Sequence, residues 1–166
     1  MKEYTHITHP FEPLYTSEAR IMILGSLPSV KSREQGFFYG HKQNRFWKLI
    51  ARLYGEPESA YDDIAAKKAL ILRNHIALYD TIYSCDIIGS SDSSIKNVVP
   101  TDLKSILERS KVERIYCNGS TSGRYYEKYQ EAKLQIRAVT LPSTSPANAA
   151  WTLDQLVEAW SVILIS

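Results

Sequence analysis

Two strand-like runs, far apart in the chain, break in the same way, and this restricts what the chain can fold into. Ile21-Met22-Ile23-Leu24 runs into Gly25-Ser26-Leu27-Pro28-Ser29. Ile136-Arg137-Ala138-Val139-Thr140 runs into Leu141-Pro142-Ser143-Thr144-Ser145-Pro146-Ala147-Asn148. Open α/β sheets bind ligands beyond the carboxyl ends of their strands. The pattern therefore predicts one sheet, with both Pro/Ser loops on the same edge. After the first loop comes Phe37-Phe38-Tyr39-Gly40-His41-Lys42-Gln43-Asn44-Arg45-Phe46-Trp47. Aromatic faces beside amides and basic side chains suit a pocket for a flat polar ring.

The rest of the chain alternates strands and helices. Residues 44–54 read as a helix with Phe46, Trp47, Leu49, Ile50 and Leu53 on one stripe. Asn44 stands at its N-cap position and also where its amide would enter a pocket. A second helix is expected over 59–73, and a short strand over 76–82 with Asp80 near its end. Residues 89–97, rich in Ser and Asp, read as a surface loop. Further helices are expected over 102–110, from Ser120 and over 152–164, and a third core strand over 114–117. This alternation predicts an α/β fold: three layers, α/β/α, around a central, mainly parallel sheet of about four strands. The length fits one domain spanning 1–166, with residues 1–19 as an extended arm packed on it.

A net charge of +2 does not by itself demand nucleic acid, so any basic footprint must be local. The two cysteines, Cys85 and Cys117, are neither paired nor spaced for a metal. His6 and His9 lack a third ligand at metal spacing, and no metal is expected. Ser120-Thr121-Ser122-Gly123 at a helix start suits a phosphate but lacks P-loop spacing. The chain shows no apolar core for a leader and no membrane-length run, so a cytoplasmic protein without membrane contact is expected.

Gly25-Ser26-Leu27-Pro28-Ser29, then Asn44-Arg45-Phe46-Trp47, then Leu141-Pro142-Ser143-Thr144-Ser145-Pro146-Ala147 resemble, in that order, the uracil-DNA glycosylase superfamily. The likeness is nearest to the hypoxanthine-DNA (deoxyinosine) glycosylase branch, and the mismatch-specific uracil glycosylases are more distant. The resemblance implies a cofactor-free monomer acting on DNA that contains a deaminated base. Such an enzyme flips the nucleotide out of the stack and hydrolyses its glycosidic bond. Hypoxanthine is the expected base. Uracil or xanthine in mismatches, or binding of damaged DNA without catalysis, are the alternatives. Some branches hold an iron–sulfur cluster on four cysteines, which two cannot supply.

Carried over residue by residue, the resemblance places Gly25, Ser26, Leu27, Phe38, Tyr39, His41 and Asp80 around the base. Pro28, Ser29, Lys42, Arg45, Ser143, Thr144, Ser145, Pro146, Ala147 and Asn148 fall on the DNA. Serine hydroxyls suit the phosphate grip, although serines also form turns. Two positions depart from the family pattern. Leu27 stands where several branches carry Asp or Asn before the proline, and Leu141 stands where some carry His. Leucine orients no water. The resemblance therefore puts catalysis on Asn44, either placing water or holding the base. No lysine stands out as a Schiff-base nucleophile, so base release without strand cleavage is expected.

Overall fold

The structure is a computed structural model that describes residues 3–164. Met1 and Lys2 of the expected arm lie outside the described residues. In chain order the elements are β1 (Thr5–Thr8), β2 (Ile21–Gly25), α1 (Val30–Gln35), α2 (Phe46–Leu53), α3 (Ile64–Arg73), β3 (Ile76–Asp80) and β4 (Ile82–Ile87). There follow β5 (Lys96–Pro100), α4 (Lys104–Glu108), β6 (Arg114–Asn118), α5 (Ser120–Tyr129), α6 (Glu131–Leu134), β7 (Ala138–Leu141) and α7 (Leu153–Trp160).

The central sheet has the order β3-β2-β6-β7, with every pairing parallel and helices flanking it. All residues of β2 and β3 are buried, as strands covered on both faces must be. From β2 the chain adds β3 on one side and later β6 on the other. The edge beyond β2 is thus a point where connections diverge, which opens a crevice at the strand ends. The register aligns Gly25 with Asp80 and Asn118 with Leu141 at that edge. The α/β expectation and the shared loop edge both hold.

Local boundaries differ where polar side chains intervene. The helix expected over 59–73 is split: a 3-10 turn at Glu58–Tyr61 precedes α3, which Asp63 caps by accepting from Ala66 N at 2.7 Å. The last helix becomes a 3-10 turn after Trp160, where the Ser161 hydroxyl bonds back to Glu158 O. Ser29 caps the unanticipated α1. A second, antiparallel sheet, β1-β4-β5, also went unread. The strand expected over 76–82 ends at Asp80, and after Thr81 the chain enters β4 in that other sheet. Lys96 and Asn97 belong to β5 rather than to a loop, because Val98 and Val99 continue as a strand along β4. Residues 5–8 of the arm pair with β4.

The main core joins α2 to α7. Phe46 and Trp160 meet edge to face at 6.3 Å, both fully buried. Trp160 also donates from Nε1 to Pro142 O at 2.9 Å, so core packing holds the start of the second Pro/Ser loop. Trp160→Phe keeps a ring but removes that donor and leaves a void. It should lower unfolding free energy by about 1–3 kcal/mol in urea denaturation.

Candidate active site

The two Pro/Ser loops face each other across a cleft of ≈ 730 Å³ at the carboxyl edge of the parallel sheet. Gly25 ends β2 where a side chain has no room. A Cβ there would overlap Asp80 Oδ1 and come within 3.2 Å of the Tyr39 hydroxyl. Tyr39 itself adopts the left-handed region, φ 51°, a strained backbone for an aromatic residue. That turn stacks its ring on Phe46 at 4.1 Å and leaves the hydroxyl buried in the cleft without a hydrogen-bond partner. Asn118 lies alongside the phenol without closing a hydrogen bond to it. Burial, and the Asp80 carboxyl beside it, push the Tyr39 phenol well up, so it is a donor.

The second loop is bound to the start of α2. Arg45 donates to four backbone carbonyls of that loop and its continuation: Thr144 O, Ser145 O at 3.0 Å, Asn148 O at 3.1 Å and Trp151 O. Thr144, fully buried, sits between two amides. Its backbone N–H donates to Asn118 Oδ1 at 3.0 Å, and its hydroxyl accepts from Asn118 Nδ2 at 3.0 Å and donates to Asn44 Oδ1 at 2.7 Å. Asn44 Oδ1 also accepts from Phe46 N at 3.0 Å. The Phe46 N–H can only donate, so it fixes which end of the Asn44 amide is oxygen. The carbonyl is thereby fully used. The Asn44 NH2 has no partner among the described residues, and the residue lines the cleft. Asn44 presents a donor there, not an acceptor.

Most of the expected site residues converge on this cleft: Gly25, Ser26, Leu27, Pro28, Ser29, Phe38, Tyr39, Asn44, Asp80, Ser143, Thr144, Ser145, Ala147 and Asn148. Pro146, His41 and Lys42 lie outside its lining. His41 uses Nδ1 to accept from Gln43 N, and Lys42 is exposed. Arg45, expected on phosphate, is occupied by carbonyls instead. Phe38 reaches the cleft but is a core residue, meeting Phe11 edge to face at 4.7 Å. Ser29 is used as the cap of α1. Leu27 packs against the cluster of Ile82, Cys85 and Ile87, and Leu141 is buried in the main core.

Several lining residues went unread. Arg33 on α1 reaches the cleft half-buried, and its side chain makes no ion pair or hydrogen bond among the described residues. Asn118 ends a core strand as Asp80 does, a placement that would have marked it. The N-terminus of α5, at Gly119, Ser120 and Thr121, also lines the cleft, which suits an anion. No lysine lines it. Burial pushes the Cys117 thiol up to about 11, which makes it a poor nucleophile. Among the described residues no three His, Cys, Asp or Glu side chains are grouped to hold a metal. His6 and His9 diverge, His6 to Asp86 and His9 to Asp80. The cleft can bind a flat polar ring, grip anionic groups at its rim and stabilise negative charge with neutral donors.

The loop-holding role of Arg45 separates sharply from a phosphate contact. A lysine cannot reach four carbonyls. Arg45→Lys should lose about 2–4 kcal/mol of stability and leave the salt dependence of DNA binding unchanged. A phosphate contact predicts a shallower salt slope with little loss of stability.

Comparison with known proteins places this geometry. Residues 12–164 match the model of the uracil DNA glycosylase superfamily. A curated hypoxanthine DNA glycosylase of Methanosarcina acetivorans is 30% identical over 160 residues, covering 95% of this chain and 98% of its own. One of Methanosarcina barkeri is 30% identical over 116 residues, 69% of this chain and 73% of its own. A solution NMR structure from Methanosarcina acetivorans, provisionally assigned as a uracil DNA glycosylase, superposes with a TM-score of 0.80. It is 28% identical, with 96% of each chain covered. The chain belongs to the uracil DNA glycosylase superfamily.

Proposed function

We propose that this glycosylase removes hypoxanthine from DNA by hydrolysis, in base excision repair. Water adds to C1′ of the flipped deoxynucleotide, the C1′–N9 bond breaks, and the base leaves with a proton. The observation that carries the reading is the orientation of Asn44. Its oxygen is saturated by Phe46 N and the Thr144 hydroxyl, so its NH2 faces the cleft as a fixed donor. A preset donor stabilises charge as it builds on the departing base, without reorganising during the reaction. This favours the base-holding role over the water-placing one, since an occupied carbonyl cannot take a proton from water. Similarity to two hypoxanthine DNA glycosylases supports the choice of base.

Arg33, the α5 N-terminus and the serines at 143 and 145 would hold the flanking phosphates. Ser143 and Ser145 accept from backbone N–H groups within their own loop, and each hydroxyl retains a hydrogen to donate. Leu27 and Leu141 carry no catalytic group. Rate would come from positioning and donors rather than from a general base.

Duplexes carrying one inosine, uracil or xanthine, scored for alkali-labile sites, test this reading. Inosine duplexes should release base most rapidly. Asn44→Ala should slow single-turnover release by about 10²–10³-fold, the cost of a lost preset donor. Asn44→Asp keeps both accepted bonds and adds a potential base, yet should be no better than Asn44→Ala. Full activity in Asn44→Asp would return the residue to water activation. Binding of inosine duplexes without release by the wild-type protein would leave only a damaged-DNA-binding role. Borohydride should trap no covalent adduct, because no lysine among the described residues lines the cleft.

A further inference from the structure

The arm leading from β1 delivers one side chain to the back of Asp80, a residue that lines the cleft. His9 is fully buried at its ring, and its Nε2 lies 2.7 Å from Asp80 Oδ2, whose side chain is 5% exposed. Its Nδ1 lies 2.8 Å from Phe11 O. A carbonyl only accepts, so Nδ1 carries a hydrogen. A contact of 2.7 Å between Nε2 and a carboxylate oxygen needs a proton between them. The pair therefore holds one proton in excess of neutral imidazole and carboxylate. Imidazole is ordinarily the more basic partner. Phe11 and Tyr79 rings, each 4.8 Å from the His9 ring, enclose it.

The opposite face of Asp80 belongs to the cleft. Oδ1 takes no hydrogen bond from the described residues and crowds Gly25 together with the unpartnered Tyr39 hydroxyl. Tyr39 and Tyr79 stand beside the pair, and burial pushes both phenols up, Tyr79 to about 12; Cys117 lies near Tyr39, and Glu12, Tyr83 and Asp102 near Tyr79. One free acceptor, Asp80 Oδ1, thus stands on the cleft at the end of β2, with the enclosed Tyr39 hydroxyl behind it. A deaminated base offers the complement, a lactam edge with N–H beside C=O. Adenine and cytosine offer the reverse, a bare ring nitrogen beside an amino group.

We propose that His9 is a positioning residue that keeps the proton on its own Nε2, so that Asp80 Oδ1 stays an acceptor. Asp80 then selects bases that present a ring N–H, as a lactam edge does. The inference rests on the base-releasing reading above and adds to it the residue that keeps the base-facing carboxylate an acceptor. Were the proton on Asp80, its free face would lose acceptor strength, and a bare ring nitrogen would meet less repulsion. The arm is thereby part of the specificity device and not only a cover for the sheet.

Two measurements on the full chain test this. Nitrogen-15 NMR of the histidine rings in neutral buffer should show both His9 nitrogens protonated; a bare Nε2 overturns the proposal. Single-turnover release is then compared between inosine and an analogue whose N1–H is replaced by C–H. The wild-type protein should prefer inosine. In His9→Phe, which cannot donate, that preference should shrink about tenfold or more, the worth of one charge-assisted hydrogen bond. His9→Gln, which restores a donor towards Asp80, should recover most of it. An unchanged preference in folded His9→Phe or His9→Gln-resistant loss sinks the proposal, since a merely structural role would slow both substrates alike. If the wild-type protein releases neither base, the function and the selection step fail together, while the NMR result still decides where the proton sits.

Discussion

The site depends on a single buried hydroxyl. Thr144 joins Asn118, at the end of β6, to Asn44, at the entry of α2, through three hydrogen bonds. Those partners come from three separate parts of the chain, and Asn44 and Thr144 are 100 residues apart. A buried polar group must be satisfied, so the network is either complete or costly. When complete, it fixes the amide of Asn44 in one orientation. Arg45 acts alongside it, spending a charged fork on loop carbonyls rather than on a ligand. Two adjacent residues thus divide the work: Arg45 holds the second loop, and Asn44 uses that loop to aim its own donor.

This arrangement explains how a cleft lacking an acidic residue before the first-loop proline suits glycosidic hydrolysis. Leu27 and Leu141 serve packing, one against the second, antiparallel sheet and one in the main core. Apart from the Asp80 carboxylate, the polar work falls to neutral amides and hydroxyls. Neutral donors in a site partly closed to water are worth more than in bulk solvent and need no change of protonation during the reaction. Arg33 supplies charge at the cleft while the chain as a whole stays near neutrality. Nucleic-acid binding would then rest on local placement rather than on net charge.

The parallel sheet and its loop-bearing edge were legible because both are written in local runs. Ile21–Leu24 breaking into Gly and Pro is a signal that needs no partner to be read. Asn44 was legible by its position beside the aromatic block, but its orientation was not. That depends on Thr144, and no local pattern links the two. Arg45 was misread for the same reason: a basic residue near a DNA site reads as a phosphate contact until its carbonyl partners are seen. The sequence shows His9 only as half of an incomplete ligand pair with His6, because the strand pairing that brings it to Asp80 spans the antiparallel sheet. That sheet escaped notice because β4 follows β3 after one residue, and β5 sits behind a Ser- and Asp-rich stretch. Long-range register, not composition, decided each of these cases.

In the proposed function, Asn44 meets the departing base as a hydrogen-bond donor held from behind by Thr144. A crystal structure of the chain with a duplex carrying a non-hydrolysable 2′-fluoro-deoxyinosine tests it directly. The flipped base should lie between the loops after β2 and β7, with Asn44 Nδ2 in hydrogen-bond range of it and Oδ1 still bound to Thr144. A base lodged elsewhere, or an Asn44 amide reversed so that its oxygen holds a water, would contradict it.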